Sequence, residues 1–480
     1  MNKKLIYILL CILILFISGC ERKTIETPSI SEPTEEPIDS IPSEPNEIDE
    51  DLFRYSFGFS SLSITNRNEV TEGYYEVSTE IEFLDALMQS DARVIEIKNN
   101  LNLGSKHVEA RLLDDGLLLS TYRSVYRPHS RQPLLHPILL NEGIGQIRLI
   151  SRENLMIYSK SGHTIKHTTF IIDGVKDLVI RNLSFTGIWE WDEETEGAYD
   201  RNDWDYFTVE KSDGIWFDHL SFDQAYDGII DIKEEGQNIT LSWSKLSFKP
   251  NDFIEAQMVH LEANIESYPY YQSIREKGIT YEDMVIYASF QKKGFNFGNT
   301  TDGEGFESIT VTFHHLLVEN LMERLPRLRK GDVHLYHVIL DNEDIFHLRL
   351  KYGANLNIGN QAIISTEGGA VLMEHSIFRY VSTPIRNHQN SNPDSKYTGS
   401  YQVINSELVM ATRTYFGSST DKITYWVHQN QNEAIEFSFR NHETVPYTYV
   451  LHDIYYLPQI FELYPPGPID LNINWLHIES

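Results

Sequence analysis

The chain repeats one short phrase of apolar and polar positions. Leu178-Val179-Ile180 leads to Leu183-Ser184-Phe185, Ile215-Trp216-Phe217 to Leu220-Ser221-Phe222, and Ile239-Thr240-Leu241 to Leu246-Ser247-Phe248. The same shape returns at Ile309-Thr310-Val311, Val333-His334-Leu335 and Val371-Leu372-Met373. Such short apolar alternations read as strands. Two adjacent pairs, 215 to 239 and 309 to 333, are offset by 24 residues. Short strands at a fixed period of that size predict a solenoid, in which each strand pairs with the coils above and below and the stack buries one core. Tight Asn-Gly or Asp-Gly turns, which a hairpin sandwich needs, are scarce. The expected fold is all-β, a right-handed parallel β-helix.

Other patterns decorate this stack. Thr79-x-x-Glu82 is a capping-box signature, and Ile81, Leu84, Leu87 and Met88 fall on one helical face. A short N-terminal helix is expected there, capping the open end of the first coil and leading into a strand over 93–98. Residues 251–288 break the period with helix formers and are read as a helical insertion on the loop side. After Asn390 the repeat fades, although Tyr425-Trp426-Val427, the 435–439 stretch and Tyr447-Thr448-Tyr449-Val450 look like strands. That part reads equally as the last coils, a cover over the solenoid, or a small separate β unit.

The start of the chain has another character. Lys3 and Lys4 precede an apolar run from Leu5 to Ile17, ending in Ile17-Ser18-Gly19-Cys20. A spanning helix needs about 20 apolar residues, so residues 1–20 read as a secretory signal. The last four resemble a bacterial lipobox, which implies lipidation of Cys20 and an extracellular protein anchored to a membrane surface; ordinary cleavage is the alternative. Residues 21–52 are acidic and rich in Pro, Glu and Ser, the composition of a disordered tether. The expected domains are then the solenoid over 53–390 and a C-terminal part over 391–480. Cys11 and Cys20 are the two cysteines, so the mature domain has no disulfide. The net charge of −30 repels nucleic acid, and no nucleic-acid partner is expected. A monomer is expected.

Chemistry concentrates between Asn202 and Lys233. An Asp203-x-Asp205 pair precedes Ile215-Trp216-Phe217-Asp218-His219 and then Asp227-Gly228-Ile229-Ile230-Asp231-Ile232-Lys233. Four carboxylates drawn from neighbouring strands suit a hard, oxygen-seeking cation such as calcium. Acids spaced along strands also simply face water. These motifs resemble the signature of family 1 polysaccharide lyases, the pectate lyases. The likeness continues through Val311-Thr312-Phe313-His314-His315, Arg324-Leu325-Pro326-Arg327-Leu328-Arg329 and Gly331-Asp332-Val333-His334, and spans about Val94 to Phe378.

The resemblance implies a pectate lyase-like β-helix that cleaves polygalacturonate by calcium-dependent β-elimination. It places Asp203, Asp205, Asp227 and Asp231 at the calcium positions. Asp227 stands where the family often has Glu, one methylene longer. The resemblance makes Lys293 and Arg329 ligands for substrate carboxylates and Arg324 the base at C5; Arg327 extends the basic strip that binds substrate. Arginine is an uncomfortable base, its ordinary pKa lying above about 12, unless burial and neighbouring cations depress it. Leu316 and Val338 replace residues the family often stacks inside its coils. His219, His314 and His315 suit stacking better than metal binding. The aromatic run Tyr268-Pro269-Tyr270-Tyr271 either lines the cleft against sugar rings or packs the insertion onto the coils. Rival readings are a pectin lyase or other uronan lyase, hydrolysis by the Asp203 and Asp205 pair, and a surface glycan-binding β-helix without turnover.

Overall fold

The computed structural model describes residues 53–108, 124–131, 133–388, 395–410, 413–417 and 436–479. The lipobox, Cys20, the tether and the strand expected at 425–427 lie outside the described residues. Within them the chain forms a right-handed parallel β-helix with two main sheets, of 16 and 9 strands. Leu178, Ile215, Ile239, Val311, Val333 and Val371 stand one above another in the larger sheet. All are buried, because the alternation of each strand sends the same positions inward.

The repeat differs from the expected one at two rungs. Val311, not Ile309, pairs with Val333, and Phe222, not Leu220, pairs with Leu246. Ile309, Val311 and Phe313 share one parity, so a two-residue slip keeps the pattern intact and the sequence does not exclude it. Leu316 pairs with Val338, both fully buried, so an apolar rung fills the place of a polar one.

Each coil turns a corner at a residue with positive φ. Asn182, His219, Trp243, His315, His337 and His375 take φ between 43° and 53° and form a column along the larger sheet. Trp243 and His315 stack with centroids 4.0 Å apart, as the sequence suggested, and His337 meets His315 edge-on at 4.6 Å.

Both ends of the described residues lie over this sheet. Phe59 N–H donates to Thr312 Oγ1 and Ser60 N–H to Thr240 Oγ1, each at 3.0 Å. Arg440 and Asn441 N–H groups donate to the Asp332 carboxylate at 2.8 Å. Residues 436–479 therefore behave as a cover. Among the described residues, 436–439 and 447–450 belong to no strand. Around them, backbone and Tyr hydroxyl groups bond to side chains of the sheet, as at Asp332 and at Thr312 Oγ1, 2.7 Å from the Tyr447 hydroxyl. The last coils end earlier, where Ser406–Met410 pairs antiparallel with Arg413–Gly417.

The expected helices are present. Glu80–Met88 carries the capping box, with Glu82 N–H on Thr79 Oγ1 at 3.3 Å, and buries Phe83, Leu84 and Leu87. The insertion is three helices, Asp252–Ala263, Pro269–Arg275 and Tyr281–Ser289. Tyr271 is fully buried and Tyr270 stacks on Trp191 at 5.6 Å, so the aromatic run packs the insertion onto the coils.

Candidate active site

The smaller sheet carries the chemistry. Its strands Phe207–Glu210, Ile230–Glu234, Phe295–Phe297 and Arg327–Arg329 are consecutive neighbours. Phe207, Val209, Ile230, Ile232, Phe295, Phe297 and Leu328 fill the core. The alternate positions therefore face out, and register lines up Thr208, Asp231, Asn296 and Arg327. With strands about 4.8 Å apart, a carboxylate and a guanidinium stand about 10 Å apart across Asn296.

Asp205 and Asp231 converge. A methyl group at Gly228 would lie 2.9 Å from Oδ1 of both, so only glycine leaves that space clear. Gly228 N–H donates to Asp205 Oδ1 at 2.6 Å, and Asn296 Nδ2 donates to Asp231 Oδ2 at 3.3 Å. Burial, and then the Asp231, Asp227 and Asp203 carboxylates, push Asp205 well above the usual carboxylate range. Burial and Asp227 likewise push Asp231 up to about 7. Lys233 draws on both carboxylates and Arg324 on Asp231, without offsetting burial and repulsion.

Asp203 and Asp227 are held differently. Asp203 Oδ2 lies 2.9 Å from Arg131 Nη2 and 3.5 Å from Lys233 Nζ. Asp227 Oδ1 lies 2.9 Å from Lys293 Nζ, which also donates to the Tyr199 carbonyl at 2.9 Å and lies 3.1 Å from Asp200. Burial raises Asp227, against the pull of Lys293. Among the described residues the four carboxylates do not close on one point. The fit to calcium rests on the buried Asp205 and the half-buried Asp231, oxygen donors facing one gap with repulsion that a divalent cation relieves. Asp203 and Asp227 stand at its margins.

The basic side follows on the next strand. Arg324 has φ 72°, uncommon for a residue with a side chain. Neighbouring strands hold it there: its carbonyl accepts Phe295 N–H at 2.8 Å, and Leu325 N–H donates to the Ala362 carbonyl at 2.9 Å. Gly294 permits the approach, since a Cβ there would meet the Arg324 carbonyl at 2.4 Å. Arg324 Nε is 3.3 Å from Glu323 Oε1. Arg329 Nη1 donates to the Gly298 carbonyl and, at 3.2 Å, to Asn296 Oδ1. Burial, then Arg329 and Arg324, lowers the Arg327 pKa to about 9.

Lys293, Arg324, Arg327 and Arg329 thus lie on two adjoining strands and the turns into them, next to the carboxylates. Sequence reasoning passed over Asn296, which bridges Asp231 to Arg329. Its signal was available, as the one polar position between the inward Phe295 and Phe297. Arg131 and His129, whose Nε2 lies 2.9 Å from the Asp203 carbonyl, carried no such signal. They reach the site from a stretch 72 to 74 residues before Asp203.

The converging Asp205 and Asp231 carboxylates beside Arg324, Arg327 and Arg329 define the class, a parallel β-helix with an ionic outer face. No family model matches the chain. Over 355 residues it is 34% identical to pectate lyase B of Paenibacillus amylolyticus, covering 70% of this chain and 88% of that one. A solved pectate lyase from Paenibacillus sp. 0602 superposes with a TM-score of 0.80 at 30% identity, covering 88% of this chain and 98% of the other. A pectate trisaccharide-lyase of Thermotoga maritima is 26% identical over 188 residues, 39% of this chain and 38% of that one. The chain belongs to the pectate lyase family and is a polysaccharide lyase.

Proposed function

We propose that the enzyme cleaves polygalacturonate by calcium-dependent β-elimination, releasing 4,5-unsaturated oligogalacturonates. The observation that carries this reading is the single outward row in which Asp231, Asn296 and Arg327 share a register, flanked by Lys293, Arg324 and Arg329. A hydrolase using the Asp203 and Asp205 pair would leave that basic strip without a role.

The substrate carboxylate opposes loss of the C5 proton, because a second negative charge develops beside the first. Asp205 and Asp231, with Asp203 and Asp227 beside them, would hold calcium, which would supply positive charge to that carboxylate. Lys293 and Arg329 bind and orient it, and Arg327 adds a planar guanidinium able to take a carboxylate through two hydrogen bonds. Arg324 accepts the C5 proton; the C5–H electrons form the C4–C5 double bond, the C4–O4 bond breaks, and O4 leaves with its bonding pair and takes a proton from water. Only a neutral guanidine accepts a proton, so turnover rises toward alkaline pH.

The test compares polygalacturonate with highly methyl-esterified pectin, reading the ultraviolet absorbance of the unsaturated product. Esters cannot pair with the cations, so the ester rate is expected to be lower by about tenfold or more. Equal or faster cleavage of the ester would make this a pectin lyase.

A further inference from the structure

The larger sheet holds a second group of metal-type side chains, far in character from the carboxylate row. We propose that His315, His337 and His452 form a binding site for zinc or a similar imidazole-seeking divalent ion, which fastens the C-terminal cover to the solenoid. His315 and His337 are corner residues of adjacent coils; His452 comes from the covering segment.

Three observations carry this. One ring nitrogen from each histidine lies within 4.8 Å of the other two. His315 Nε2 and His337 Nδ1 are 3.2 Å apart, against about 3.3 Å between neighbouring ligands of a tetrahedral zinc with Zn–N near 2.0–2.1 Å. The Nε2 of His452 is buried and has no hydrogen-bond partner. The ligand set is all imidazole, which suits zinc, copper or nickel and does not suit calcium.

The surroundings are arranged for ligation. His314 Nε2 lies 2.9 Å from the Ser56 carbonyl and so carries a proton, which leaves its Nδ1 to accept from His315 Nδ1–H at 2.9 Å. His315 Nε2 then presents a lone pair toward the proposed ion. His337 Nε2 faces both the N–H and the carbonyl of His452, at 2.9 and 3.3 Å. Each of its neutral tautomers therefore has a partner. Without metal, Nδ1 carries the proton and donates to His315. Metal binding would move that proton to Nε2, toward the His452 carbonyl, and would require the His452 N–H, which donates to Nε2 in the metal-free ring, to turn away. No proton is lost or gained overall.

The rival is a metal-free imidazole chain running from His452 N–H through His337, His315 and His314 to Ser56. The experiment separates the two on the full-length protein, untagged and stripped of metal. Cobalt(II) is titrated while the visible ligand-field bands of tetrahedral cobalt are followed, and zinc then competes. One equivalent is expected, displaced by zinc and indifferent to excess calcium. His315 and His337 are core residues, so the variant is His452→Ala, with His452 half-buried; it should weaken cobalt and zinc binding at least tenfold. Asp231→Ala should bind them as the parent does, which separates this site from the carboxylate row. Zinc should also raise the unfolding temperature of the parent and leave that of His452→Ala unmoved. Absence of the bands, or binding undiminished in His452→Ala, would overturn the proposal and leave the hydrogen-bonded chain.

Discussion

On one sheet, adjoining rungs carry Asp231, Asn296 and Arg327; on the other, adjoining rungs carry His314 and Tyr336, rings stacked with centroids 5.0 Å apart. The backbone is alike in both, short parallel strands lining up outward side chains rung by rung. The first row is ionic, and its charges are incompletely matched: Asp205 and Asp231 repel, and the arginines crowd one another. The second is covered and its buried ions are matched, Arg181 with Asp218, with Phe59, Ser60 and residues 436–479 bonded across it. One geometry thus holds charge ready for a substrate and elsewhere provides adhesion. The difference lies in what covers each face.

That contrast can be broken most sharply at Arg324. Arg324→Lys should lower kcat by about 10²–10⁴-fold, the usual weight of a positioned proton acceptor, with unfolding temperature nearly unchanged. A flexible ammonium cannot reproduce the placement of the guanidinium. Comparable losses in activity and stability would mean that the ionic row also holds the fold.

The covered face should give the reverse result. Arg181 is buried, bonds to Asp218 at 2.8 Å and to the Trp475 and Phe53 carbonyls at 2.7 Å, and sits over the Trp216 ring at 4.3 Å. Arg181→Met leaves the buried Asp218 carboxylate with Ser242 and His219 but without its guanidinium, and should cost about 3–5 kcal/mol of stability. Below the unfolding transition, kcat/KM should match that of the parent; a large drop would tie the two faces together.

The smallest effect concerns a neutral imidazole outside both rows. His136 Nε2 donates to the Phe253 carbonyl at 2.9 Å while its Nδ1 accepts Ile138 N–H at 3.1 Å, so the neutral ring is satisfied at both ends. Burial lowers its pKa to about 4. In the unfolded chain it titrates near 6.5, so the unfolded state binds the proton first and stability falls as pH drops from about 6.5 to 4. The loss assigned to this residue is on the order of 3 kcal/mol. Denaturant unfolding between pH 7 and 4 should show a shallower fall for His136→Gln, and parallel curves would remove the assignment.

Much of this was legible in the chain because strand alternation and local motifs are short-range signals. The core column through Ile215 and Val333, the Glu80–Met88 helix and the carboxylates all sit in such patterns. Register was less legible, since Ile309 and Val311 share a parity and both fit the same face. The cover was not legible as strand or coil, because its backbone bonds go to Asp332 and to side chains of the sheet rather than to a ladder. Arg131 and His452 reach their places over long chain separations that no spacing records. Asn296 was legible in principle, as a polar residue alternating with two buried phenylalanines.

The most direct test of the ionic row measures unsaturated product from polygalacturonate with calcium, with excess chelator, and with calcium restored, in the parent and in Asp231→Ala. The parent should lose nearly all turnover in chelator and regain it with calcium. Asp231→Ala should need a higher calcium concentration for partial activity, because one of the two converging carboxylates is gone. Full activity of the parent in excess chelator would contradict the account.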